Sequence, residues 1–194
     1  MEFSELDLNK TYTYADYLKW QFEERLELIK GRIFKMSPAP KRIHQKASGV
    51  VFYNLFDYLK NKQCDVYSAP FDVRLPRKSK DDQEIITVLQ PDICVICDRQ
   101  KLDDRGCIGA PDIIVEILSP GNNRKELQNK YDVYEESGVQ EYWIIHPDEK
   151  TFMKYTLDDS GKYQPSRLLT FGDIVSTPVL PGVEMHLDDI FNLD

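Results

Sequence analysis

Two carboxylates stand where an ionised side chain is hardest to bury. Asp92 opens the run ICVIC, and Glu116 interrupts IIVEIL with branched aliphatics on both sides. A charged carboxylate in such surroundings costs several kcal/mol unless it is paired, hydrogen-bonded or bound to a metal. Asp112 shares a strand face with Glu116, yet at roughly 3.3 Å per residue the two are about 13 Å apart and cannot grip one ion together. Asp92 on a neighbouring strand could, because adjacent strands lie about 4.8 Å apart. The chemistry predicted is a divalent cation, Mg²⁺ or Mn²⁺, held by Asp92 and Glu116. Magnesium needs only one or two protein carboxylates when substrate phosphate and water supply its other oxygens. Such an ion acidifies a water and neutralises charge developing on a scissile phosphate.

Lys130 is a third unusual residue. Leu127, Lys130, Tyr131 and Tyr134 follow helical spacing, so the lysine occupies a position where an apolar residue is expected and points toward the sheet. Its ammonium could orient an attacking water or offset phosphate charge; the plainer alternative is a stem lying along the core with its head in solvent. His44, near the start of a helix, could contact phosphate or the ion's water, or simply be a capping or exposed histidine. Glu27, flanked by Leu26 and Leu28, either completes the acidic cluster or faces solvent by alternation. Asp112 after a proline suits a bond to loop amides, and Asp132 belongs to a polar helix face. Tyr142 and Trp143 read as core aromatics.

The formal net charge of −8 speaks against a protein that coats nucleic acid, because neutralising phosphates requires clustered lysine and arginine. Locally the balance reverses. Lys30, Arg32, Lys35, Lys41, Arg42 and Lys46 fall in one stretch that has no acidic residue. Of these, Lys35, Lys41, Arg42 and Lys46 are the candidates to follow a DNA backbone, the alternative being a solvated basic loop. No apolar run approaches the roughly 20 residues of a membrane span, and the acidic N-terminus lacks a secretory pattern, so a cytoplasmic protein without membrane contact is expected. Cys94 and Cys97 have the spacing of half a zinc site, but nothing completes it; they are expected to be reduced, buried strand cysteines, with Cys64 and Cys107 elsewhere.

The elements that must position these residues follow from periodicity. TYTYADYLKWQF predicts a short helix with a threonine cap, and RLELIKGRIFKM a hairpin turning at Lys30-Gly31 and ended by Pro38 and Pro40. Residues 41–60 predict the first core helix, with Val50, Val51, Leu55 and Leu59 on one side. Strands are expected from Asp65 to Leu75, from Glu84 to Leu89 running on through Ile93 to Ile96, and from Ile113 to Leu118. A helix follows, with Asn123 and Glu126 spaced as a capping box and Gly138 as its stop. QEYWIIHP then reads as a buried strand, and TFMKYTL with KYQPSRLL as a hairpin before a tail ending near Phe191. The order predicts one α/β domain over residues 1–194, a mixed central sheet flanked by helices with a β-hairpin extension at each end.

Several of these segments together resemble a known family. RLELIKGRIFKMSPAPKRIHQK, QPDICVI, APDIIVEILSPGNNRKELQNKYDVYEESGVQEYWIIHPDE and LPGVEMHLDDIF are similar to the Uma-type restriction-endonuclease-like proteins, a bacterial family grouped with the PD-(D/E)xK nucleases. The resemblance covers nearly the whole chain and implies a restriction-endonuclease-like core. It implies that the family's aspartate falls on Asp92, its strand glutamate on Glu116, its histidine on His44 and its early glutamate on Glu27. The family's usual lysine two positions after the glutamate is replaced by Leu118, and the resemblance implies that Lys130 takes its part. Lys30 and His146 stand where the family usually has aspartate. The implied activity is metal-dependent hydrolysis of DNA phosphodiester bonds by Asp92, Glu116, Lys130, His44 and Glu27. The alternative is a nuclease-fold module that binds DNA or a partner without turnover. Cutting both strands would invite a homodimer, for which the hairpins could supply an interface.

Overall fold

Thr13 begins the first element: its hydroxyl accepts the Asp16 amide while the Asp16 carboxylate accepts the Thr13 amide, closing a capping box on α1 (Tyr14–Tyr17). The helix is four residues long, shorter than the sequence predicts, because Tyr14 is its one buried residue and so short a turn has no apolar stripe to extend it. The computed structural model describes residues 5–21, 24–36, 40–119 and 124–192, with side chains from 127 in the last stretch. The expected capping box of Asn123 and Glu126 and the strand-ending Pro38 lie outside the described residues.

The hairpin forms as read: β1 (Leu26–Ile29) pairs antiparallel with β2 (Arg32–Lys35). Lys30 and Gly31 have φ of 51° and 77°, the backbone of a two-residue turn that matches strand twist. A Cβ on Gly31 would come 2.3 Å from Thr11 Cγ2, so the turn also needs the missing side chain. α2 (Arg42–Leu59) buries Ala47, Val51, Leu55 and Leu59 along one stripe, and His44 lies on the same stripe.

Beyond α2 the chain forms β3 (Asp65–Ser68), β4 (Val73–Arg74), β5 (Val88–Leu89), β6 (Ile93–Ile96), β7 (Leu102–Asp103), β8 (Gly106–Ile108) and β9 (Ile113–Ile117). It continues with α3 (Arg124–Ser137), β10 (Glu141–His146), β11 (Thr151–Leu157), β12 (Tyr163–Pro165), β13 (Leu169–Thr170), β14 (Ile174–Val175), β15 (Met185–His186) and α4 (Leu187–Phe191). The central sheet has the order β12-β11-β10-β9-β6-β3, with β13 also on β11, and is mixed because β9 and β10 run parallel across the α3 crossover. One face packs on α2 and α4: Ile93, Val95, Ile113, Val115 and Ile117 join Val51, Leu55 and Phe191. The other face, carrying Cys94, Ile96, Ile114 and Tyr142, packs on α3 and on a second sheet in the order β2-β1-β5-β4-β8-β7.

That second sheet is a finding that periodicity does not give. The run 65–75 splits into β3 and β4, and the run 84–96 into β5 and β6, each pair divided between the two sheets. The turns fall at Ala69-Pro70 and Gln90-Pro91, where proline cannot donate to a ladder. Each hairpin extends a sheet at its edge: β1 pairs with β5, and β11 with β10. Cys97 is not a reduced strand cysteine but is disulfide-bonded to Cys64; Asp65 pairs with Ile96, so the two sulfurs meet one step further along the same register. Cys94 and Cys107 are free and buried. No helix among the described residues is long and apolar enough to cross a membrane.

The core stripe of α2 is what carries His44 to the sheet. Leu55→Ala is expected to cost about 2–5 kcal/mol in urea unfolding, whereas Tyr53→Ala, 65% exposed on the opposite side, should change stability by less than about 0.5 kcal/mol. Equal losses would show that α2 is not held by this stripe.

Candidate active site

The break at Gln90-Pro91 sets Asp92 just ahead of β6. Ile93 lies opposite Val115 and Cys94 opposite Ile114, so the register carried one step on brings Asp92 across from Glu116. Both share the face of Cys94 and Ile114, which packs toward α3. Directly opposed positions in an antiparallel pair have Cβ atoms about 4.5–5.5 Å apart, close enough for two carboxylates to converge. Asp92 Oδ2 accepts the Ile117 amide at 2.7 Å, supplying a bond that the ladder no longer can. The same device recurs at the other end of the pair. Asp112, also after a proline, accepts the Cys97 amide at 2.7 Å and the Gln140 side chain at 2.6 Å. Asp112 is therefore a strand-end cap, and only the Asp92 end carries a glutamate. Asp132 accepts a bond from Gln128 on the exposed side of α3.

Lys130 reaches these acids from α3. Its Nζ lies 2.9 Å from Glu116 Oε1 and 3.1 Å from Glu27 Oε1, and lysine and both glutamates are at least nine-tenths buried. Glu27 does not follow the surface reading that alternation allowed, because β1 is buried at all four positions between β2 and β5. Its Oε1 also accepts the Gln90 amide at 2.9 Å. The Tyr134 hydroxyl donates to Glu116 Oε1 at 2.8 Å. Burial pushes the Glu116 carboxyl up to about 7, with Lys130 opposing and the charges of Asp92 and Glu27 adding to the rise. Burial also works against the Lys130 ammonium, but the charges of Glu116 and Glu27 prevail and hold its pKa well above the ordinary value. Lys130 thus stands as a cation and hydrogen-bond donor between the two glutamates.

His44 closes the group from the α2 side, with Nε2 3.3 Å from Asp92 Oδ2. Burial disfavours its charged form, but the hydrogen bond and the charge of Asp92 outweigh this and raise the imidazole pKa. Its Nδ1 is buried without a partner among the described residues. Asp92, 23% exposed, opens the cluster to solvent through a cleft of about 260 Å³ that Arg25, His44, Ser48 and Ala69 also line. Lys41, Arg42 and Lys46 are exposed on the first turns of α2, and Lys35 is exposed on β2, where it pairs with Glu24 at 3.3 Å.

The family model Uma2, described as "Putative restriction endonuclease", matches residues 14–188. The chain belongs to this family. A crystal structure described as a "putative nuclease belonging to DUF820", from Anabaena variabilis, shares the fold: TM-score 0.72 at 21% identity, over 94% of this chain and 98% of that one. Among curated proteins, none matches.

The donor set of this Uma2 chain fits a divalent cation that substrate helps to hold. Among the described residues, the bonds to Asp92 fall on Oδ2 and those to Glu116 on Oε1, leaving Oδ1 and Oε2 as the oxygens for a further ligand. Glu27 and Glu116 share the Lys130 ammonium, and Asp92, paired with His44, stands beside them as a third carboxylate. No three His, Cys, Asp or Glu side chains among the described residues gather into a complete cage. That composition suits magnesium, which takes water and phosphate oxygens beside one or two carboxylates, better than a closed structural site.

Sequence reasoning missed Tyr134 and Gln90. Tyr134 lies four positions after Lys130 and hence on the same helix face, a signal that was available but read only as core. Gln90 acts through its backbone amide, which no side-chain pattern reports.

The raised Glu116 carboxyl makes a stability prediction for the metal-free protein. The folded state holds this proton more tightly than the unfolded chain, so the burial penalty is absent below the ordinary value of 4.5 and complete above about 7. In EDTA, the wild type should lose about 3 kcal/mol more than Glu116→Gln between those pH values, read from urea unfolding. Parallel profiles would mean that Glu116 is not the buried carboxylate described.

Proposed function

We propose that this chain is a magnesium-dependent endonuclease that hydrolyses phosphodiester bonds in DNA. The observation carrying the reading is the pair Asp92 and Glu116, opposed across one strand register, each with an oxygen to spare beside a single buried ammonium. Membership of a family described as "Putative restriction endonuclease" supports it, as does a shared fold with a structure described as a "putative nuclease".

Asp92 and Glu116 would hold the ion, which supplies charge neutralisation on the scissile phosphate and a more acidic water. Lys130 has three N–H donors, of which one binds Glu116 Oε1 while Glu27 pairs with the ammonium at 3.1 Å; a remaining donor can hold the attacking water or a phosphate oxygen. Glu27 braces the ammonium from β1, and Tyr134 fixes the Glu116 oxygen that Lys130 binds. His44 bonds Asp92 Oδ2 and so helps to hold the carboxylate in place, leaving Oδ1 for the ion. The start of α2 adds an anchor for the strand. Lys41 offers no side-chain cap, the first turn holds no acid, and Lys41, Arg42 and Lys46 surround amides that attract phosphate. Lys35 extends the basic surface along β2. This local charge is what a chain of net charge −8 needs to approach DNA.

The test is relaxation of supercoiled plasmid with Mg²⁺ or Mn²⁺. Nicking should be present in the wild type, absent in Asp92→Ala, and reduced about 10²–10³-fold in Lys130→Met, the scale of losing one positioned donor to developing charge. Salt-sensitive DNA binding without nicking would instead favour a nuclease-fold binding module.

A further inference from the structure

A second cleft, of about 300 Å³, adjoins the one at Asp92 and is lined by Tyr17, Trp20, Glu24, Arg25, Pro70 and Gln90. Arg25 lines both, and the seam between them is the dipeptide Ala69-Pro70, with alanine on the catalytic side and proline on the other. We propose that this second cleft takes one unstacked nucleobase of the DNA strand, with Arg25 holding the phosphate that joins this nucleotide to the one at Asp92. The inference rests on the nuclease reading and names how its substrate is presented.

Tyr17 and Trp20 give the cleft two aromatic rings, their centroids 5.7 Å apart and tilted by 56°, and Trp20 is propped edge-on against Tyr12 at 5.2 Å. Aromatic side chains of this kind are platforms on which any base can stack. The volume lies at the lower end for small-molecule sites and admits a single ring system. Glu24, whose Oε1 accepts from Lys35, has its other oxygen as an acceptor for an exocyclic amine, as cytosine N4 presents. Gln90 ties the cleft to the catalytic group. Its Oε1 accepts Arg25 Nη2 at 2.8 Å, its Nε2 donates to Tyr17 Oη at 3.2 Å and Asp72 Oδ1 at 2.8 Å, and its backbone amide binds Glu27. One residue thus fixes the guanidinium, the stacking ring and the glutamate that braces Lys130. Two positions later comes Asp92. A base held here would lie within a nucleotide or so of the reacting phosphate.

The sequence has two tryptophans, and Trp143 is fully buried, so a bound strand that changes tryptophan emission reports on Trp20. In Asp92→Asn protein with Mg²⁺, which keeps the strand uncut, a single-stranded oligodeoxycytidylate should quench this emission and bind better than a fully paired duplex of equal length. Adding Trp20→Ala should weaken the single strand about tenfold, within the range for losing one base stack, and Trp20→Phe should restore it. Unchanged affinity in Trp20→Ala, unchanged emission on binding, or no binding of the oligonucleotide at all would overturn the proposal. Two further outcomes separate it from the nuclease reading. Nicking that needs Asp92 but ignores Trp20→Ala sinks the base cleft alone; Trp20-dependent binding by a wild type that nicks nothing sinks the nuclease alone.

Discussion

One buried ammonium is held between two buried carboxylates with a third close by, and most of what is unusual in this molecule follows from that arrangement. Lys130 sits between Glu27 and Glu116, and Asp92 lies across the strand pair from Glu116. Removing one partner from a buried ion pair typically costs about 3–5 kcal/mol, so each of these side chains is held by the others as much as by its own element. Burial is what pushes the Glu116 carboxyl up to about 7; Lys130 opposes the rise, and the charges of Asp92 and Glu27 add to it. A cation placed among the spare oxygens would relieve that strain and a phosphate would complete its ligands. The fold thus accepts a local electrostatic cost at the place where binding a metal would remove it.

The prolines decide where that cost is incurred. Pro70 and Pro91 lie at the two crossings between the sheets, and the second delivers Asp92 to the mouth of the cleft instead of the middle of a strand. Asp92 and Asp112 show the same proline–aspartate turn used twice, each capping the opposite strand. The two ends differ in what surrounds them: at the Asp92 end a glutamate lies opposite, and α2 brings His44 and its basic first turn. The second sheet contributes Glu27, Arg25 and Gln90, so its docking against α3 is part of the site as well as of the core.

How legible this was in the sequence depends on which force placed each residue. Asp92 and Glu116 stand out because ionisable groups in aliphatic runs need a reason, and Lys130 because it breaks a helical stripe; both signals are local. Glu27 could not be decided by alternation, since β1 is covered on both faces and alternation carries information only when one face is wet. The second sheet was illegible because β4 and β5 are two residues each, below the length at which a period can be read. The Cys64–Cys97 disulfide depends on the β3–β6 register and not on spacing along the chain. Tyr134 and Gln90 were hidden for a related reason: what matters is a hydroxyl at the end of an otherwise apolar ring and a backbone amide, and neither alters a hydropathy pattern.

The most direct test of the central claim is the anomalous density of crystals soaked in Mn²⁺. The account predicts one ion per chain, bound by oxygens of Asp92 and Glu116, with Lys130 still joined to Glu27. An ion bound elsewhere, or none at concentrations that support any nicking, would contradict it.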